Sequence, residues 1–187
     1  MPSQTPSSPE EVARAHLLAD QLKEGPFTPD GFRSRIAESQ TLLSGYAKDK
    51  LFSSMTDAQR RKRIESGTWV FTVITLDQCS VWERMGATDK NRREWAKGPV
   101  NRVASELQRK ADPENKVWAI LRNIRMVFAE FPLIIIRSTG EPSRRFRIDD
   151  GSHRAVAYYL AGFRHAFAYV GTVPSHLNLT WNWSGLV

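Results

Sequence analysis

The sequence predicts an α+β domain preceded by a helical extension. Three observations carry this. Apolar residues recur at helical spacing through most of the first 66 positions. Short β-branched and aromatic runs stand at 69–74, 133–137 and 165–170. Helical patterns fill the ground between those runs. With 187 residues, 41% hydrophobic and 10% aromatic, the chain has enough apolar material for one packed core.

Residues 1–8, rich in Pro and Ser, are expected to be disordered. Ser8-Pro9-Glu10-Glu11 reads as a helix start, with a serine cap, proline at the first helical position and glutamate three residues after the cap. Val12, Ala15, Leu18, Ala19 and Leu22 continue it until Gly25-Pro26. Thr28-Pro29 opens a second helix carrying Phe32, Ile36 and Leu43. Thr56 with Gln59 makes a capping box for a short basic helix that ends near Gly67. Its Arg60-Arg61-Lys62-Arg63 run, with Asp57 and Glu65 nearby, is expected to be a solvated face. Residues 1–66 therefore read as a helical N-terminal extension, and residues 67–187 as the α+β domain.

The domain opens with a strand over Trp69–Ile74, followed by polar, irregular sequence over 77–98. Helices are expected at about Val100–Lys110 and Val117–Phe131, the second with Val117, Ile120, Leu121 and Ile124 on one face. Leu133–Arg137 is a strand, Gly140–Ser143 a turn, and Arg145–Asp149 an alternating, half-exposed strand. A sharp turn at Asp150-Gly151 leads into a helix from Ser152 to Ala161, closed by Gly162, and His165–Val170 is the last strand.

Charge narrows the function. The chain has 27 Lys+Arg against 20 Asp+Glu, a formal +7. Residues 1–66 hold 10 basic and 9 acidic side chains and residues 67–187 hold 17 and 11, so the excess lies in the later part, where Arg137, Arg144, Arg145, Arg147 and Arg154 stand close in sequence. Such a field attracts nucleic acid, nucleotides or phosphorylated metabolites. A single cysteine, Cys79, excludes a disulfide framework and cysteine-rich metal sites. No apolar run suits a membrane span and the N-terminus has no signal-peptide pattern, so a cytoplasmic protein with no membrane partner is expected. A Gly-Lys-Ser/Thr phosphate loop, a His-Glu-x-x-His pair and a nucleophile elbow are all absent.

The chemistry concentrates at Asp150-Gly151-Ser152-His153-Arg154. A strand entering a glycine turn and then a helix leaves backbone N–H groups unpaired at the positive end of the helix dipole, a cradle for phosphate. Gly151 permits a positive φ or close approach of a ligand. Ser152 either caps the helix or donates to a phosphate oxygen, and His153 and Arg154 add donors. Asp150 is the unexpected member, because a carboxylate repels phosphate unless it orients Arg154 or His153 or helps hold a divalent cation. The same residues also suit a plain capped turn, with Arg154 paired to Asp149. His16 reads as a packing or surface residue of the first helix, His165 as a strand-face residue and His176 as a loop residue. Trp181 and Trp183 suit tail packing better than base stacking.

Asp150 to Gly162, flanked by strands, resembles the signature of the ParB/sulfiredoxin-like superfamily, whose members carry a Gly-x-(His/Arg)-Arg box, often Asp-Gly-x-His-Arg, followed by a helix ending in Leu-x-Gly. The resemblance covers about Trp69 to Val170 and implies a small mixed sheet with flanking helices. It further implies nucleotide-phosphate binding by Gly151, Ser152, His153 and Arg154. Sulfiredoxins place their reactive cysteine where this chain has Ser152. ParB proteins bind CTP and use a helix-turn-helix domain, for which the 16 residues after Gly171 leave no room. The free-serine kinase branch is nearest in style, and its glutamate base, shortly after the first strand, matches Glu83. The implied function is a kinase acting on the hydroxyl of a small metabolite such as an amino acid, with Glu83 and Asp150 as catalytic residues. ATP or ADP, CTP as a further option, and Mg2+ would be its cofactors. The alternative is a ParB-type nucleotide- or DNA-binding regulatory protein, or a nuclease-like relative.

Overall fold

The computed structural model describes residues 4–21, 29–81, 98–110, 116–124, 131–137 and 146–177. In chain order these form β1 (Thr5–Ser7), α1 (Pro9–Gln21), α2 (Pro29–Ser44), α3 (Lys48–Ser53), α4 (Ala58–Ser66) and β2 (Thr68–Thr75). A 3-10 turn (Leu76–Gln78) leads to β3 (Cys79–Val81), then come β4 (Gly98–Pro99), α5 (Val100–Lys110), α6 (Lys116–Arg122) and β5 (Leu133–Arg137). β6 (Phe146–Asp150), α7 (Ser152–Leu160), β7 (His165–Thr172) and a final 3-10 turn (Ser175–Leu177) complete the series. The α+β class is therefore correct: one mixed sheet in the order β1-β2-β7-β5-β6-β3-β4, flanked by helices. β5 runs parallel to β7 and β3 parallel to β6, while the other pairs are antiparallel.

Local sequence accounts for the elements. Ser8 caps α1 reciprocally: the Glu11 amide donates to Ser8 Oγ at 3.2 Å and the Ser8 amide donates to Glu11 Oε2 at 2.7 Å. Phe32, Ile36 and Leu43 of α2 are buried as their spacing demands. α5 buries Val100, Val103, Ala104 and Leu107, which recur at helical spacing. In β7 the buried Ala166, Ala168 and Val170 alternate with the exposed His165 and Phe167, the period-two signature of a strand with one covered face.

Three expectations are corrected. Thr5–Ser7 is a strand, because the backbone edge of β2 pairs with it from Thr5 opposite Phe71 to Ser7 opposite Trp69; proline is tolerated at such an edge. The cap of α4 is Asp57, one residue later than expected; its carboxylate accepts from the Gln59 and Arg60 amides at 3.0 and 2.9 Å. The stretch after β2 is not irregular throughout, since β3 joins the sheet beside β6. Of the predicted 117–131 helix, the described part runs from Lys116 to Arg122; the Gly140–Ser143 turn, Arg144, Arg145, Trp181 and Trp183 lie outside the described residues.

Helices α1–α4 share one hydrophobic core with the sheet, running from Val12 and Phe32 through Ile64 to Val173. The Trp69 indole, buried at the start of β2, donates to the Ile64 carbonyl of α4 at 2.9 Å, which fixes α4 over that side of the sheet. Helices α5 and α6 both pack on α7, with α5 also against β3 and α7 against β5. Among the described residues no helix is long and apolar enough to cross a membrane.

Candidate functional site

The site grows from an irregularity in the sheet. β6 pairs with β5 so that Ile135 faces Ile148 while Ile134 faces Asp150, with a register shift between. Asp149 is the extra residue. Adjacent strand residues ordinarily point to opposite faces, but a bulge re-aims a side chain. Here Asp149 and Asp150 both find partners on the helices of the N-terminal region. The Asp149 carboxylate accepts from Arg63 of α4 at 2.7 Å (Nη2 to Oδ1) and 3.3 Å (Nε to Oδ2), a bidentate grip. Arg60 Nη2 donates to the Asp149 carbonyl at 2.5 Å, and its Nε lies 3.7 Å from Oδ2. Asp150 Oδ2 lies 3.1 Å from His16 Nδ1 of α1 and accepts from Arg154 Nη2 at 3.2 Å.

The expectation that Arg60–Arg63 forms a solvated face is therefore corrected. Arg60 and Arg63 are buried, three residues apart on the face that also buries Ile64, while Lys62 is exposed. Among the described residues four buried guanidinium groups (Arg60, Arg63, Arg147 and Arg154) stand against two buried carboxylates. The partly exposed Asp57 and Asp20 lie at the rim, 3.8 Å from Arg60 and 3.4 Å from His16. Burial alone would raise the Asp150 pKa; the His16 hydrogen bond and the charges of Arg154, His16 and Arg60 overcome it and hold the carboxyl well below the usual range. An ionised carboxylate only accepts, so His16 Nδ1 carries the proton between them. Burial pushes Arg147 down to about 9; Asp149 opposes that shift and Arg63 adds to it, and the group stays cationic at neutral pH.

Gly151 takes φ +97° and ψ 19°, the left-handed region, and starts α7 with no side-chain cap. A Cβ there would stand 2.7 Å from Leu133 Cδ2 and 2.8 Å from Arg154 Nη2. Of the two uses foreseen for this glycine, the described residues display the positive φ, and the space above it is taken by the chain's own arginine. Ser152 is 1% exposed and Arg154 8% exposed; Ser152 Oγ and Arg154 Nη1 are buried and have no hydrogen-bond partner among the described residues. His153 is half-buried in the first turn of α7. Arg154 also lies over the Phe131 ring, 5.9 Å from its centroid, and Phe32 of α2 meets Phe131 edge-on at 5.8 Å and 69°.

The structure thus brings together Asp150, Gly151, Ser152 and Arg154, with Asp150 orienting Arg154 rather than Asp149 doing so. Glu83 lies outside the described residues. The carboxylates do not suit a resident Mg2+: both are taken up by guanidinium or imidazole groups, and among the described residues no cluster of three His, Cys, Asp or Glu side chains could hold a metal. Cys79 is buried in β3, where burial first and the Asp77 charge second push its thiol far up, so it is no thiolate nucleophile. His165 is exposed on β7 and His176 exposed in the last 3-10 turn. Sequence reasoning left out His16, Arg60 and Arg63 as site members. The usable signal was position: His16 falls one turn after Val12, and Arg60 one turn before Ile64, on stripes that must be buried. Comparison of the chain with protein-family models, with curated proteins and with solved structures finds no match.

Proposed function

We propose that the start of α7 binds the phosphates of a nucleotide and that the protein is a phosphoryl-transfer enzyme, a kinase acting on the hydroxyl of a small metabolite such as an amino acid. One observation carries the binding half: an uncapped helix N-terminus beside two buried donors, Ser152 Oγ and Arg154 Nη1, that have no hydrogen-bond partner among the described residues. Buried unpaired donors are costly and an anion would satisfy them. The excess of buried guanidinium over carboxylate among the described residues points the same way. In this reading Ser152, His153, Arg154 and the amides of the first turn hold the phosphates and neutralise the charge that shifts during transfer. Asp150 positions Arg154. Glu83, which the resemblance implies as the base, would accept the proton from the substrate hydroxyl as its oxygen bonds to the terminal phosphorus, whose bond to the nucleotide's bridging oxygen breaks and releases the nucleotide one phosphate shorter.

A nucleic-acid-binding reading calls for one continuous basic surface. Arg60, Arg63, Arg147 and Arg154 are buried instead, so nothing in the described residues favours it over a compact anion. The test is thermal stability with ATP, ADP, CTP and GTP, each with and without magnesium. A ligand confined to the folded state adds about 2.7 kcal/mol at a hundredfold excess over its Kd. We expect a shift with at least one nucleotide and its loss in Arg154→Ala. An Arg154→Ala protein that binds as tightly as wild type overturns the assignment.

A further inference from the structure

Two helices of the N-terminal region close on the start of α7 from different partners. His16 of α1, 1% exposed, holds Asp150, and Asp150 holds Arg154. Phe32 of α2 holds Phe131, over whose ring Arg154 lies. The backbone of Phe131 is itself fixed, since Tyr158 of α7 donates to its carbonyl at 3.4 Å. The same start of α7 carries the Ser152 and Arg154 donors, both buried. The arrangement is closed to solvent and unsatisfied at once, which is unfavourable unless another state or a ligand relieves it.

We propose that α1 and α2 form a lid over the start of α7, and that an anion reaches Ser152 and Arg154 only when His16 leaves Asp150 and Phe32 leaves Phe131. This rests on the phosphate-binding reading above. The lid fixes the sign of the coupling. An anion that binds only the open state has an apparent Kd equal to its intrinsic Kd divided by the open fraction. Loosening either contact raises that fraction and tightens binding. Were His16 a ligand to the anion, its removal would weaken binding instead.

Titration calorimetry with ATP, ADP and CTP on wild type, His16→Ala and Phe32→Leu separates these outcomes. We expect the variants to bind more tightly than wild type, on the order of tenfold for loss of one charged hydrogen bond. Phe32→Leu keeps an apolar side chain in the core and serves if His16→Ala does not fold. Amide hydrogen exchange on the wild-type chain needs no substitution, and the α1 amides should exchange faster with a bound nucleotide than without. Equal or weaker binding by the folded variants, or slower α1 exchange on binding, overturns the lid while leaving the site intact. Absence of binding to all three proteins overturns both, whereas binding to a variant alone is the lid in its strongest form.

Discussion

Replacing Arg63 by methionine removes a charge from the buried cluster while keeping most of the side chain's apolar length. The Asp149 carboxylate then loses contacts at 2.7 and 3.3 Å and keeps Arg60 Nε at 3.7 Å. Both partners are under 10% exposed, so solvent cannot screen the loss. Removing one member of a buried pair costs about 3–5 kcal/mol. The remaining Arg60 places the expected loss near the lower end, about 3 kcal/mol. In urea, with m near ~2 kcal/mol/M, that moves the midpoint down by about 1.5 M. Tryptophan fluorescence is a suitable probe, because the Trp69 indole is hydrogen-bonded to the Ile64 carbonyl in the same helix and reports α4 leaving the sheet. A double-mutant cycle with Asp149→Asn isolates the pair. A loss below about 1 kcal/mol, with no coupling in the cycle, would mean that the pair is solvated and the buried cluster is wrong.

Gly151 and Gly162, two of the three positive-φ glycines among the described residues, give an internally controlled comparison. Gly151→Ala should cost about 2–4 kcal/mol, backbone strain plus overpacking against Leu133 and Arg154, while Gly162→Ala, at φ +89° with nothing within 4 Å, should cost only the strain, about 1–2 kcal/mol. Equal losses in chemical denaturation would show that Leu133 and Arg154 do not crowd Gly151. Asp150 has a depressed folded pKa, so its contribution to stability is full above the ordinary carboxylate range and is lost as pH falls below about 4. Melting temperatures from pH 7 to pH 3 should therefore fall more steeply in wild type than in Asp150→Asn, and identical slopes would refute the buried ion network. Ser8→Ala should lower stability by about 1 kcal/mol through loss of the α1 capping box, read from the same denaturation curves.

Legibility followed the range of the forces involved. The strands at 68–75, 133–137 and 165–172, the Ser8 cap and the turn at Asp150-Gly151 depend on neighbours within a few residues, and residue type declares them. β1 was not legible, since Thr5–Ser7 has no strand signal of its own and takes its conformation from the edge of β2, more than sixty residues away. The α4 arginines were misread for a related reason. Charge density favours solvent, but position on the stripe with Ile64 favours burial, and the deciding partner, Asp149, lies 86 residues away. The Asp150–Arg154 contact was accessible because it spans one helical turn. The His16–Asp150 contact, 134 residues apart, had no local trace.

The register shift in β6 links these long-range contacts. In an unbroken strand Asp149 and Asp150 would point to opposite faces, and one helix layer could not serve both. With Asp149 inserted as an extra residue, α4 takes one carboxylate and α1 takes the other. Each contact neutralises a buried acid lying immediately before the Gly151 turn. Without Arg60 and Arg63, the Asp149 carboxylate would stand uncompensated beside the start of α7 and repel an anion there. With them, Asp149 becomes an anchor for α4, and Asp150 orients Arg154. The helices of residues 1–66 therefore bear on the electrostatics of the box as directly as the strand and helix that contain it. Under the proposed phosphate-binding reading, shortening the chain from its N-terminus past His16 should tighten anion binding wherever the sheet survives, read by the same titration calorimetry.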